Sequence, residues 1–211
     1  MYTHILWDFN GTLLDDTDAA IKSENVLLAR RSMPLIESRE QYRSLFCFPI
    51  RKYYEKLGHN FEREDYRQLC NEWAVEFKKH ACDSGLQDGA RELLEKIKER
   101  GIKQVVLSAS EKEMLKAQID ALKIKEYFDD ILGMETVHNC DKTEIGTLWI
   151  QKERPRSAVI LGDTVHDYEV ACQMGIDCIL FANGHQSYET LAALCIPVYH
   201  SLSDIPAEFF S

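Results

Sequence analysis

Between Gln87 and Phe181 short apolar runs alternate with stretches of helical periodicity, and this rhythm restricts the fold more tightly than any other property of the chain. Helices are expected over 90–100, closed by Gly101, and over 111–122, 142–151 and 166–174. Strands are expected over 104–107, 130–132, 158–161 and 177–181, with a turn through Tyr127-Phe128. Strands separated by helices of this length join in parallel, and a parallel sheet buries both faces under helices. The fold class that follows is α/β, with a doubly wound parallel sheet.

The N-terminus supplies one more strand. Ile5-Leu6-Trp7 is an apolar run that stops at Asp8-Phe9-Asn10-Gly11-Thr12-Leu13, so a buried strand delivers Asp8 to the lip of the sheet. Asp8 and Asn10 share one side of the extended chain. Gly11 lets the backbone turn closely against a ligand, and the Thr12 hydroxyl can reach a phosphate oxygen. Asp15-Asp16-Thr17-Asp18 then offers N-caps and acidic charge to a helix running to Arg30-Arg31 and ended by Pro34. From there to about Gly85 only helical periodicity is found, over 40–48, 50–57 and 63–79, with Leu69, Trp73 and Phe77 on one stripe of the last helix. The chain therefore reads as a core of residues 1–14 and 86–211 carrying a helical insertion of residues 15–85.

Bulk properties narrow the function. A chain of 211 residues, 45% of them hydrophobic, can fill one core and an inserted lobe. Twenty-five Lys and Arg against 35 Asp and Glu leave a net charge of −10, spread without a basic stripe, which argues against a nucleic-acid partner. So acidic a chain, if it handles a small phosphorylated metabolite, must build local positive potential from a metal, a lysine and helix N-termini. The seven cysteines are scattered and never spaced as Cys-x-x-Cys, so neither a zinc site nor a disulfide framework is indicated and a reducing, cytoplasmic location is expected. No run approaches the ~20 apolar residues of a membrane span, and no signal peptide fits before Asp8. A monomer or homodimer is expected.

In doubly wound sheets ligands bind beyond the carboxyl ends of the strands, where strand order switches, and Asp8, Ser108 and Asp163 all fall at such ends. In Leu161-Gly162-Asp163-Thr164-Val165-His166-Asp167 two carboxylates four apart suit a hard cation such as Mg²⁺, or cap a helix. Ser108 can bind an anion or cap a helix, and Ser110 before Glu111 is the more natural cap. Lys142 begins a helix, where its charge opposes the dipole and calls for a counter-anion or solvent.

The series Asp8-Phe9-Asn10-Gly11-Thr12, Ser108, Lys142 and Asp163 with Asp167 resembles the motifs of the haloacid dehalogenase-like (HAD) phosphohydrolases. Asp88-Gly89-Ala90…Leu93-Leu94…Gly101 and Gly175-Ile176…Asn183-Gly184-His185 are similar to their phosphoglycolate phosphatase and phosphoglucomutase branch. The resemblance implies a Rossmann-like core under a small helical cap, in-line attack by Asp8 on a phosphomonoester, an aspartyl-phosphate intermediate and its hydrolysis by water. It also implies catalysis by Asp8, Asn10, Ser108 and Lys142, and substrate contacts from Gly11, Thr12, Ser108, Ala109 and Lys142. Mg²⁺ would be held by Asp8, Asp163, the Asn10 carbonyl and, through water, Asp167.

The chain departs from the family pattern at Asn10, where an Asp normally moves the proton. An amide can donate a hydrogen bond but cannot give up a proton, a loss worth roughly 10²–10⁴-fold in rate. A working but slow phosphatase with a long-lived phospho-Asp8 is expected, and Asn10→Asp is expected to raise hydrolysis of an ester with a poor leaving group. In the cap, Phe46-Cys47-Phe48-Pro49-Ile50-Arg51 is expected to face the site, with Arg51 either clamping a second anionic group or merely solvated. His166 and His185 flank the active-site face and could make secondary contacts, although a surface histidine is the commoner explanation. A dehalogenase would leave Asp163 and Asp167 without a purpose. A phosphonoacetaldehyde hydrolase-like enzyme would need Lys52 or Lys56 as a Schiff base, and a mutase would miss the acid/base still more. The non-enzymatic alternative is a phosphate-ligand binding or regulatory protein that keeps the site without turnover.

Overall fold

The computed structural model describes residues 1–135 and 141–210; Cys140 lies outside them, and the other six cysteines are free. Strands β1 (His4–Trp7), β2 (Lys103–Glu111), β3 (Asp130–Met134), β4 (Ala158–Gly162), β5 (Asp177–Phe181) and β6 (Val198–Tyr199) form one parallel sheet in the order β3-β2-β1-β4-β5-β6. The chain enters at the centre, builds outward to β3, then returns to the other side of β1. Strand order therefore reverses beside β1, which puts the crevice of a doubly wound sheet at its carboxyl end.

Alternation along β1 decides which helices cover which face. Ile5 and Trp7 pack with residues of α5 (Ala90–Glu99) and α6 (Lys112–Ala121), whereas Leu6 packs with α7 (Lys142–Glu153) and α8 (Val165–Met174). The fully buried Gln104 is satisfied: it accepts from Trp7 Nε1 at 3.0 Å and donates to the carbonyls of Leu94 and Tyr127.

Between β1 and α5 the chain forms α1 (Thr17–Arg30), α2 (Arg39–Leu45), α3 (Ile50–Leu57) and α4 (Tyr66–His80). These helices enclose a separate apolar cluster that includes Leu27, Leu28, Tyr42, Tyr53, Tyr54 and Leu69. Ion pairs of Arg31 with Glu64 and Glu72, and of Arg30 with Glu76, tie α1 to the α4 region.

Several boundaries differ from expectation for local reasons. α2 stops at Leu45, short of 48, and α4 starts at Tyr66 because the Asp65 carboxylate accepts from the Gln68 amide. β2 continues past Leu107 to Glu111, which pairs with Met134 after a register shift that leaves Ser108-Ala109-Ser110 irregular. Glu111, rather than Ser110, caps α6, accepting from the amides of Glu113 and Met114. The short α9 (Tyr188–Ala192) and the two-residue edge strand β6 carry too little periodicity to be read from sequence. No helix among the described residues is long and apolar enough to cross a membrane.

Candidate active site

The carboxyl ends of β1 and β4 lie side by side, and strand pairing runs one step beyond β1, where the Asp8 amide donates to the Leu161 carbonyl at 2.8 Å. Asp8, Asp163 and Asp167 each bring a carboxylate oxygen within 4.8 Å of the others. Lys142, at the first position of α7, joins two of them: its Nζ lies 2.5 Å from Asp8 Oδ1 and 2.5 Å from Asp167 Oδ1. Only 3% of Lys142 is exposed, so these carboxylates, and not solvent, are the counter-anions that its unfavourable place in the helix called for.

Each acid is held differently. Asp163 Oδ1 accepts from the Thr12 hydroxyl at 2.9 Å and Oδ2 accepts from the His185 amide at 2.6 Å. Asp167 keeps one oxygen for Lys142, while the other accepts from the Asp163 and Thr164 amides and the Thr164 hydroxyl as part of the α8 capping box. The one carboxylate of Asp167 thus both caps α8 and holds Lys142. Burial, reinforced by the neighbouring carboxylates and opposed by Lys142, pushes Asp8 up to about 8. Burial likewise raises Asp163 to about 6, partly offset by His185. For Asp167 burial is outweighed by Lys142 and the Thr164 hydroxyl, which hold it below the ordinary carboxylate range.

Three buried carboxyl groups share one ammonium; burial raises two of them, and all three are fully ionised in so dry a place only where a further cation shares the charge. An all-oxygen donor set of this size fits a hard divalent ion of the Mg²⁺ type.

Asn10 is clamped from both sides. Its Nδ2 donates to Asp16 Oδ2 at 2.7 Å, and its Oδ1 accepts from the Ser110 hydroxyl at 2.9 Å. Asp16, expected as a helix cap, makes no side-chain cap bond; its carboxylate turns inward and also accepts from the Gly11 amide at 2.8 Å. Gly11 is indispensable here, because with φ at +79° a Cβ would lie 2.4 Å from Asp163 Oδ2 and 2.6 Å from His185 Cδ2.

His185 is the main correction to the sequence reading. It is not a surface residue: only 9% is exposed, with Nε2 3.3 Å from Asp16 Oδ1 and Nδ1 2.9 Å from the Tyr42 hydroxyl. Burial would lower its pKa, but the charge and hydrogen bond of Asp16 and the charges of Asp163 and Asp8 raise it to about 9, so the ring is a cation at neutral pH.

The expected phosphate-side residues divide. Ser108 is buried at the end of the regular part of β2 and accepts from the Ser110 amide, and Ala109 is exposed beside it. The Thr12 hydroxyl, expected on a phosphate oxygen, is instead fully buried and spent on Asp163.

Part of the segment expected to face the site lies against two histidines of the strand-bearing region. Phe46 lies 5.3 Å from the His185 ring and Phe48 4.9 Å from that of His166. Arg51 does not reach this site: it is half exposed, pairs with Glu55 at 3.2 Å and lies over the Phe61 ring. A cation from this helical segment that does meet the core is Arg43, which donates to Gly184 O at 2.9 Å and to Asn183 O and Oδ1 at 2.6 and 2.9 Å. Lys52 and Lys56 are exposed, and Lys56 donates to the Leu45 carbonyl, a poor setting for a Schiff-base lysine. Asp16, Ser110 and Arg43 escaped the sequence reading as site residues, although Asp16 lies next to a motif already singled out, and His185 reads there as a secondary contact or a surface residue.

Among known proteins, the model of the haloacid dehalogenase-like hydrolases matches residues 5–181. A phosphoglycolate phosphatase of Aquifex aeolicus is 28% identical over 191 residues, covering 86% of this chain and 85% of that protein. A haloacid dehalogenase-like family hydrolase from Streptococcus pneumoniae superposes with a TM-score of 0.77 at 19% identity, over 99% of this chain and 98% of its own. CbbY from Rhodobacter sphaeroides, crystallised with phosphate, superposes with a TM-score of 0.70 at 20% identity, over 97% and 96% of the two chains. At these identities the two superpositions speak for the fold alone.

Proposed function

The chain belongs to the haloacid dehalogenase-like hydrolase family, and from that membership we propose that it is a phosphatase of small phosphomonoesters working through a phospho-Asp8 intermediate. The observation that carries this reading is Asp8 at the tip of the central strand, 2.5 Å from Lys142 and clustered with Asp163 and Asp167. Relatives named as phosphoglycolate phosphatases support a small phosphorylated substrate.

In this scheme an Asp8 oxygen attacks phosphorus in line with the departing ester oxygen. Lys142 neutralises Asp8 and, with Ser108 and the exposed Ala109 backbone, steadies the charge growing on the phosphoryl oxygens. Asp8, Asp163 and the Asn10 carbonyl would hold Mg²⁺, with Asp167 acting through water, and the ion when bound supplies charge neutralisation of the phosphoryl group. Thr12 and the His185 amide fix the Asp163 carboxylate. Asn10, bound to Asp16 and Ser110, orients its surroundings but moves no proton, so turnover is slower than with a carboxyl group at that position. The cap, through Phe46 and Phe48, excludes water while the intermediate forms.

The test is phosphate release from a panel of phosphomonoesters with Mg²⁺ and with chelator, using wild type, Asp8→Asn and Lys142→Ala. Release that requires both the ion and Asp8, with ³²P retained on the denatured wild-type chain, is expected. Turnover undiminished in Asp8→Asn, or no turnover of any phosphomonoester, would overturn the reading.

A further inference from the structure

A single peptide group stands between Arg43 of α2 and Asp163 beyond β4. Its carbonyl, that of Gly184, accepts from Arg43 Nε at 2.9 Å and from the fully buried Thr17 hydroxyl at 3.3 Å. Its N–H, that of His185, donates to Asp163 Oδ2 at 2.6 Å. A trans peptide is planar with C=O and N–H pointing opposite ways, so this unit cannot turn toward one partner without leaving the other.

Neighbouring contacts remove the remaining slack. Arg43 Nη2 donates to Asn183 O and Oδ1 at 2.6 and 2.9 Å, so the fork of the guanidinium fixes the residue before the peptide as well. On the inner side a Cβ on Gly184 would lie 2.1 Å from Asp163 Oδ2, which means that the loop rests directly on the carboxylate. The direction of Asp163 is thus set by two donors, the Thr12 hydroxyl on Oδ1 at 2.9 Å and this amide on Oδ2. Each oxygen keeps a further lone pair for an ion. Hydrogen bonds to a ligating carboxylate orient it, and a guanidinium on the far carbonyl polarises the peptide and strengthens its N–H as a donor.

We infer that Arg43 is a positioning residue of the candidate ion site: through the Gly184–His185 peptide it aims Asp163, so the affinity for a divalent cation depends on α2 being seated on the loop after β5. The inference rests on the ion-dependent phosphatase reading given above. Coupling of this kind is reciprocal, so a bound ion holds α2 on that loop by the same factor.

The test measures binding of Mn²⁺ alone, from the electron paramagnetic resonance signal of the free ion, in variants whose circular dichroism matches wild type. Arg43→Ala is expected to weaken binding about 10-fold to 100-fold, Asp163→Asn to abolish it, and Arg51→Ala, at an exposed pair, to change it less than about twofold. Arg43→Lys, which keeps the charge without the fork, is expected to fall between wild type and Arg43→Ala. Thr17→Val, which removes the longer hydrogen bond to the same carbonyl, is expected to cost about threefold and provides the readout should Arg43→Ala fail to fold. Wild-type affinity in the folded Arg43→Ala or Thr17→Val protein, or in Asp163→Asn, would overturn the inference while leaving phosphomonoester turnover to its own assay. A chain that binds Mn²⁺ in the expected order yet releases phosphate from no phosphomonoester would overturn the phosphatase reading alone.

Discussion

Replacing Asn10 by Asp puts a second carboxyl group where an amide now donates to Asp16 across 2.7 Å. Two full charges at that distance, in an effective dielectric of 20, repel by about 6 kcal/mol, equivalent to about four pKa units. Both groups cannot ionise together, so residues 10 and 16 of the variant share one proton and titrate as a pair, with one apparent pKa far above the ordinary carboxyl value. The nearby His185 cation offsets part of this, which leaves a shift of two to three units as an order-of-magnitude expectation. The sign follows from proton counting. The folded variant binds a proton that the unfolded chain has already released above about pH 4, so its stability falls as pH rises, by up to about 1.4 kcal/mol per unit until the shared proton is lost.

Urea unfolding of wild type, Asn10→Asp and the double variant Asn10→Asp/Asp16→Asn, run with chelator from pH 5 to pH 9, measures this directly. The gap between wild type and Asn10→Asp is expected to be about 1.5 kcal/mol at pH 5 and to widen to about 3 kcal/mol by pH 7, levelling off above it. The double variant, which has the carboxyl group and amide exchanged, is expected to close most of it. A gap independent of pH, or one that the double variant leaves open, would refute the electrostatic argument. The same shared proton is what would let Asn10→Asp hydrolyse a poor-leaving-group ester faster than wild type at neutral pH.

Other consequences follow from single contacts. Gly11→Ala forces a left-handed backbone and a Cβ 2.4 Å from Asp163 Oδ2, so a loss of about 1–3 kcal/mol in thermal or urea unfolding is expected together with loss of phosphatase activity. Arg43→Ala removes the hydrogen bonds from the cap to Asn183 and Gly184 and is expected to lower kcat/KM roughly tenfold, about 1.4 kcal/mol. Arg51→Ala, at an exposed pair, is expected to change it less than about threefold in the same assay. Glu24 is buried in the cap with neither oxygen hydrogen-bonded and His59 Nε2 standing 3.9 Å from Oε1, and burial raises it to about 8, opposed by Arg31. Because the folded chain holds this proton between about pH 4.5 and pH 8, Glu24 makes stability fall as pH rises through that window, and Glu24→Gln should flatten the slope of urea midpoints against pH.

Periodicity was enough to predict the parallel sheet and to place Asp8 and Asp163 just past strand ends, because a strand buried on both faces must be apolar until the chain leaves the sheet, whereas Ser108 falls where β2 loses its regular pairing and not at its end. Lys142 and Asp167 were singled out by their resemblance to the family's motif order, since a lysine or an aspartate at a helix start is by itself commonplace. What periodicity reports, however, is which face is buried and not which side chain meets which. Ser110 reads as a helix cap until the bulge in β2 turns it onto Asn10, a hundred residues earlier in the chain. Asp16 reads as a cap until the close turn at Gly11 draws its carboxylate inward. Arg51 and Arg43 are indistinguishable as cap arginines in sequence, and only the seating of α2 on the loop at Asn183 and Gly184 chooses between them. His185 becomes a buried cation because cap and core close over it from positions 143 residues apart, a contact that exists only once the tertiary fold has formed.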